Sequence, residues 1–297
     1  MKHDDFYRQS YDNLKLFGQC WSPNGEPAGV VCLIHGLGEH SGRYAYLASA
    51  LSTANFATIT FDLRGHGKSE GKRGDAPSYE ANLKDLDILI HEAGQRFPGI
   101  PCFLLGHSLG ATIGLYYTLK RQPPLTGVIG TGPGFKTDLS SQTGKVLMAR
   151  ILGSVFGSIS LRTGLVPATL SRDPRVIQAY VTDPLIHDQA TLRWGKASLE
   201  SIAWLYKHAA EFPLPLLLMH GTLDRLTYAK GTQEFAERVP GFCTLKLWDG
   251  LYHEIFNEPE KDQVIAYLIE WMERQIKMSS RQSTRIMGKS EPVSDPV

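Results

Sequence analysis

Apolar residues fall along the chain in short unbroken runs, separated by longer stretches in which they recur every three or four positions. Residues 30–35 read VVCLIH, with no internal charge and a glycine-rich turn behind them. The runs at 57–63 (ATITFDL), 102–107 (CFLLGH), 128–132 (VIGTG) and 216–220 (LLLMH) look alike in their apolar content, and 244–248 (TLKLW) is a last candidate. An apolar run without alternation suits a strand covered on both faces, as in a parallel sheet. Between the runs, Leu83, Leu86, Ile90, Ala93 and Phe97 follow steps of three and four and predict one helix face. Ser78 is placed to cap that helix, and Pro98-Gly99 to stop it. ATIGLYYTLKRQ, after Gly110, also reads as helix. Val264, Tyr267, Leu268, Trp271 and Met272 form a further stripe near the end. Strands alternating with helices predict an α/β fold with a mostly parallel central sheet.

Residues 136–205 break the alternation. KVLMARILGSVFGSISLRTG is apolar without strand or turn signals, and TLRWGKASLESIAWLYKHAA is helical in pattern. The segment is expected to be a helical cap inserted into a core of residues 1–135 and 206–278. The polar, proline-containing end, 279–297, is expected to be a disordered tail.

Composition adds exclusions. The chain has 297 residues, 42% hydrophobic and 21% charged, and a formal net charge of +1. Basic residues form no blocks, so nucleic acid is not an expected partner. The polar start contains no signal-peptide core, and no run of about 18 apolar residues exists to span a membrane. Cys20, Cys32, Cys102 and Cys243 are far apart in sequence and lack C-x-x-C spacing, and Cys32 and Cys102 lie inside apolar runs, which favours buried thiols over disulfides or metal ligands. Together these features point to a cytoplasmic protein.

The chemistry lies in a repeated pattern. G-x-S-x-G occurs twice, around Ser69 and around Ser108. A nucleophile elbow needs a strand, a sharp turn and a helix, so that the serine hydroxyl projects beyond the strand. Ser108 has all three: CFLLGH before it, Gly106 and Gly110 beside it, and a helical pattern after it. Ser69 follows its strand too late and precedes the polar loop KRGDAP, which makes it a turn residue.

A serine hydroxyl needs a base, commonly a histidine oriented by a carboxylate, and in this topology the chain order is Ser, Asp, His. His253 sits in WDGLYHEIFNEP, a loop between the last strand and the last helix. His187 and His208 fall in or beside the cap, and His220 ends a strand where it could support the next loop. Asp224 follows the strand LLLMH, whereas Asp249 reads as a turn residue and Asp183 lies before Pro184 in the cap. The expected trio is Ser108, Asp224 and His253. Two backbone N–H groups should meet the oxyanion: that of Leu109, after the nucleophile, and that of Leu37, in the glycine turn HGLG.

HGLGEHSGRY, FDLRGHGKSEGKRG, GHSLGA, HGTLDRLT and GLYHEIFNEPEK together resemble the α/β-hydrolase superfamily, and within it the monoacylglycerol lipase and lysophospholipase group of serine hydrolases. EHSGRY and LYHEIFNE are the group-specific pieces, and VTDPLIHD resembles a cap segment of the group. The resemblance implies an α/β-hydrolase fold, a Ser108–Asp224–His253 triad and Leu37 and Leu109 as oxyanion donors. It also implies a single-chain lipid or ester substrate and no cofactor or metal. Many members carry Met-Gly-Gly after the serine, where this chain has Leu109-Gly110-Ala111. The implied activity is hydrolysis of monoacylglycerols to fatty acid and glycerol. Lysophospholipase, and carboxylesterase or thioesterase action on smaller esters, are the alternatives. An acyltransferase would use the same triad, and an epoxide hydrolase would need a carboxylate where Ser108 stands. The apolar stretch 147–156 has three readings: lining the substrate site, touching a membrane surface, or packing against the core.

Overall fold

The structure, a computed structural model, describes residues 1–137, 152–239, 241 and 243–287, and side chains as far as Ser280. The strands are β1 (Lys2–Gln9), β2 (Lys15–Ser22), β3 (Gly29–Ile34), β4 (Phe56–Phe61), β5 (Cys102–His107), β6 (Gly127–Thr131), β7 (Ser160–Arg162), β8 (Gln189–Thr191), β9 (Leu216–Gly221) and β10 (Cys243–Trp248). The helices are α1 (Ala45–Thr53), α2 (Tyr79–Arg96), α3 (Leu109–Arg121), α4 (Pro174–Thr182), α5 (Leu192–His208), α6 (Ala229–Ala236) and α7 (Lys261–Met287). Eight strands form one sheet in the order β1-β2-β4-β3-β5-β6-β9-β10. From β4 to β10 every pairing is parallel, while β1–β2 and β2–β4 are antiparallel. This is the mostly parallel sheet flanked by helices that the pattern predicts.

The unbroken runs have a direct cause. Val30, Cys32 and Ile34 of β3 face a core built with α2, α3, α5 and α6, whereas Val31 and Leu33 face a second core built with α1 and α7. Leu216 and Leu218 divide from Leu217 and Met219 in the same way on β9. Successive side chains point to opposite faces, and both faces are dry. Ser78 caps α2, its hydroxyl accepting from the Ala81 N–H at 3.2 Å. The stripe on α7 buries Val264, Leu268, Trp271 and Met272.

Four elements lie outside the pattern reading. β1 is a polar edge strand that buries only Phe6, and its charges suit an unpaired edge. It turns into β2 through Asn13, at φ 65°, a conformation Asn tolerates in turns. The short helices α1 and α6 were not predicted either.

Between β6 and β9 the described residues form α4, α5 and a small antiparallel ribbon of β7 and β8. Trp194 and Leu205 of α5 join the core of α2 and α3. Residues 147–151 of the apolar stretch 147–156 lie outside the described residues; of its end, Val155 and Phe156 are exposed. Helix α7 runs on to Met287, into the stretch expected to be disordered. No Gly or Pro interrupts the sequence before Gly288, so nothing stops the helix earlier. Residues 288–297 of that expected tail lie outside the described residues.

Candidate active site

β5 ends and α3 begins at Ser108, whose backbone has φ 53° and ψ −113°. Such a turn is open to a non-glycine residue only where its neighbours give way. A Cβ on Gly106 would lie 2.3 Å from the Gly110 carbonyl oxygen, and one on Gly110 would lie 2.2 Å from that of Ile34. Both glycines are therefore required by close backbone approach. The Ser108 N–H donates to the Thr131 carbonyl at 2.8 Å, tying the turn to β6. Leu109 opens α3, so its N–H belongs to the first turn, which has no acceptor within the helix.

Ser69 is held differently. Its hydroxyl donates to the Asp62 carbonyl at 2.6 Å and accepts from the Phe17 N–H at 2.9 Å. It is a buried tie between a loop and β2.

His253 comes from the loop after β10, and its Nδ1 lies 2.7 Å from Asp224 Oδ2. That contact leaves Nε2 as the ring nitrogen free to act elsewhere. Asp224 sits in the loop after β9, where its Oδ1 accepts from the N–H groups of Leu226 and Thr227 at 2.8 and 3.0 Å. Its Oδ2 also accepts from the Thr227 hydroxyl at 2.9 Å and from His220 Nε2 at 2.9 Å. Burial alone would raise the Asp224 pKa; His253 and the donated hydrogen bonds prevail and hold it far below the carboxylate range. Burial likewise opposes a charge on His253, but the Asp224 carboxylate outweighs it and the pKa is raised. His107 packs its ring 4.7 Å from that of His253. Burial, then the neighbouring His253, pushes His107 down to about 4, so it is a neutral wall.

Ser108, His253 and Leu37 line one small cavity with Gly36, Glu39, Arg43, His107, Glu254, and Leu165, Leu170 and Tyr180 from the β6–β9 excursion. The expected donor Leu37 thus lies beside Ser108, in a loop that carries Gly38 at φ +77°.

The competitors go elsewhere. Asp249 accepts from the Thr222 hydroxyl at the surface, and His208 stacks on Trp204. Asp183 pairs with His40 at 2.8 Å, and His187 Nε2 lies 3.1 Å from the Gly65 carbonyl. Only His220 joins the Asp224 cluster, supporting the loop as expected but also touching the carboxylate itself.

One ionic group escaped the sequence reading. Arg43 binds Glu39 Oε2 at 2.6 Å and forks onto Glu254 at 2.6 and 2.7 Å. Glu39 Oε1 accepts from the Gly36 N–H at 2.6 Å and the Tyr44 hydroxyl at 2.7 Å. Burial would raise Glu39, yet Arg43 and the nearby histidines bring it down to about 2. These residues are letters of EHSGRY and LYHEIFNE, so the signal was charge placed inside two loops of the site. Among the described residues, no group of three or more His, Cys, Asp or Glu side chains is arranged to hold a metal ion.

The chain as a whole is similar to known proteins. The family described as serine aminopeptidase, S33 (Hydrolase_4) matches residues 25–260. An uncharacterized abhydrolase domain-containing protein of Dictyostelium discoideum is 36% identical over 92% of this chain, which spans 29% of that protein's length. A monoacylglycerol lipase of Mycolicibacterium smegmatis is 33% identical over 87% of this chain and 93% of its own. The crystal structure of the Paleococcus ferrophilus monoacylglycerol lipase superposes with a TM-score of 0.80 at 34% identity, over 88% of this chain and 99% of that one.

Proposed function

We propose, from the premise that the chain belongs to the serine aminopeptidase S33 (Hydrolase_4) family, that it is a carboxylic ester hydrolase cleaving monoacylglycerols to fatty acid and glycerol. The observation that carries this reading is the placement of Ser108 and His253 on one cavity, with Asp224 2.7 Å behind His253. The monoacylglycerol lipases similar over nearly the whole chain give the substrate class.

The reaction is a two-step acyl transfer. His253 Nε2 takes the Ser108 proton as Oγ attacks the ester carbonyl. The N–H groups of Leu37 and Leu109 receive the oxyanion, an effect worth about 3 kcal/mol per donor. The glycerol oxygen leaves with the proton from His253. Water then gives a proton to His253 and attacks the acyl-enzyme; the acyl–Oγ bond breaks as His253 returns the proton to Ser108 Oγ, releasing the fatty acid and restoring the site. Asp224 keeps Nδ1 protonated, aims the ring and stabilises the imidazolium. No step calls for a cofactor.

Residues 136–205 act as a cap on this site. Leu165, Leu170 and Tyr180 bring its apolar wall to the cavity. Among its described residues, Val155, Phe156, Ile159, Leu161, Val166 and Val181 are exposed. Exposed apolar side chains of this kind suit transient contact with the membrane in which a single-chain lipid resides. No described helix is long and apolar enough to cross a membrane.

The test is fatty-acid release from a monoacylglycerol and a lysophosphatidylcholine of the same acyl chain, beside Ser108→Ala. Faster release from the monoacylglycerol, lost in the variant, is the expected result. Faster release from the lysophospholipid would change the substrate and keep the mechanism. Cleavage of short esters alone would overturn the lipid reading.

A further inference from the structure

Two residues rejected as triad members, Asp183 and His187, bracket the oxyanion loop. They belong to the strap that follows α4 in the cap. Asp183 closes α4, and its Oδ1 accepts from the Leu185 N–H at 2.8 Å, which folds the strap back on itself. Its Oδ2 meets His40 Nε2 at 2.8 Å, and both side chains are largely shielded. Four residues on, the His187 N–H donates to the Gly38 carbonyl at 2.9 Å. A Cβ on Gly38 would lie 2.3 Å from the His187 carbonyl oxygen, so the two backbones are in direct contact. The His187 ring reaches past the loop to the Gly65 carbonyl and packs 4.7 Å from the His66 ring.

Leu37 stands between these ties. On its core side the Gly36 N–H is held by Glu39 at 2.6 Å. On its other side the cap holds the Gly38 carbonyl through the His187 N–H and the His40 ring through Asp183, while His40 also accepts from the Gly42 N–H at 3.2 Å within its own loop. Gly38, at φ +77°, takes a left-handed conformation that favours glycine, and fixing a glycine turn costs more conformational entropy than fixing other residues. An oxyanion donor misplaced by about 1 Å loses most of its value, because the hydrogen bond must be aimed before charge develops.

We infer that the Asp183–His187 strap is a positioning element of the reaction: it fixes the oxyanion loop, so that the cap assembles the catalytic site as well as enclosing the substrate. Asp183 and His40 are positioning residues; neither touches the ester. The inference rests on the proposed hydrolysis at Ser108, and it separates two roles of the cap. A wall for the acyl chain matters only to long substrates. A clamp on Leu37 matters to every ester.

The experiment compares wild type with Asp183→Asn on a monoacylglycerol, on a short nitrophenyl ester, and on the thiono form of that short ester. Sulfur accepts hydrogen bonds poorly, so the oxo-to-thiono rate ratio reports the oxyanion donors directly. The variant is expected to lose about tenfold in kcat on both oxo esters, with KM for the monoacylglycerol little changed. Its oxo-to-thiono ratio should fall towards that of a site with one donor, and Asp183→Glu should restore part of both. A loss confined to KM for the monoacylglycerol, or an unchanged oxo-to-thiono ratio, would overturn the inference and leave the strap a channel wall. If Asp183→Asn is unfolded at the assay temperature, His40→Asn decides by the same readouts. Asparagine is a good cap for the turn at Gly42 and is too short to reach Asp183. Failure of the wild type to cleave any ester would instead count against hydrolysis at Ser108.

Discussion

His220 and His253 meet on a single oxygen: both approach Asp224 Oδ2, at 2.9 and 2.7 Å. His220 Nε2 also faces the Thr227 carbonyl at 2.8 Å, so this nitrogen carries the proton. Its Nδ1 accepts from the Thr232 hydroxyl at 2.7 Å. The donated bond spreads the carboxylate charge that would otherwise act on His253 alone. His220→Leu removes the donor, and Asp224 then holds the His253 proton more tightly. The acid limb of kcat/KM is expected to move to higher pH, and kcat to fall about tenfold. His220→Gln keeps an N–H on a side chain of similar reach and should recover part of both. A pH profile of the two variants checks this, and an unmoved limb in His220→Leu would reduce His220 to packing.

The two G-x-S-x-G serines should separate cleanly on substitution. Ser108→Ala is expected to lose about 10⁴-fold or more in kcat while keeping its thermal midpoint. Ser69→Ala should do the reverse. It leaves the Phe17 N–H buried without its acceptor, a cost of about 1–3 kcal/mol, with turnover at low temperature close to wild type. Turnover and thermal unfolding of both proteins read the contrast.

Wild-type kcat/KM has a direction fixed by His253. The base acts only when neutral, and Asp224 raises its pKa. Activity should therefore climb with pH through a midpoint above the ordinary imidazole value of about 6.5. His107, at about 4, stays neutral throughout that range and adds no second limb there. A midpoint below the ordinary value would mean that burial outweighs the carboxylate. The profile in free enzyme should be taken with a short ester, to avoid effects of pH on lipid aggregation.

Much of this site was legible because each part follows a strand end. Ser108 and Asp224 follow strands buried on both faces, His253 follows the half-buried last strand, and chain order narrowed the choice. β1 was not legible, because an edge strand with one buried residue has no periodic signal. The role of Asp183 was not legible either, since its partner His40 is 143 positions away. Sequence patterns report what a residue's own element needs. They do not report which distant loop its charge will meet. His220 shows the boundary between the two: its loop was foreseeable from its strand, but its share in the Asp224 oxygen required the fold.

The Glu39–Arg43–Glu254 group gives the largest expected loss of stability. Arg43 is shielded, and so are both carboxylates it joins. Its guanidinium also lies 4.9 Å from the Tyr180 ring, so the cap rests on it. Arg43→Met keeps the length and removes the charge, leaving two buried carboxylates without a cation. Breaking such a group costs about 3–5 kcal/mol, more than a surface pair could. One partial escape is protonation of Glu39, whose pKa Arg43 now holds at about 2. Without Arg43 that pKa rises, so the variant regains stability as pH falls towards the ordinary carboxylate range, where wild type gains nothing from protonation. Thermal midpoints of the two proteins at several pH values should thus converge on acidification. A constant gap between them would place the cost in lost packing against Tyr180 rather than in the unpaired charge.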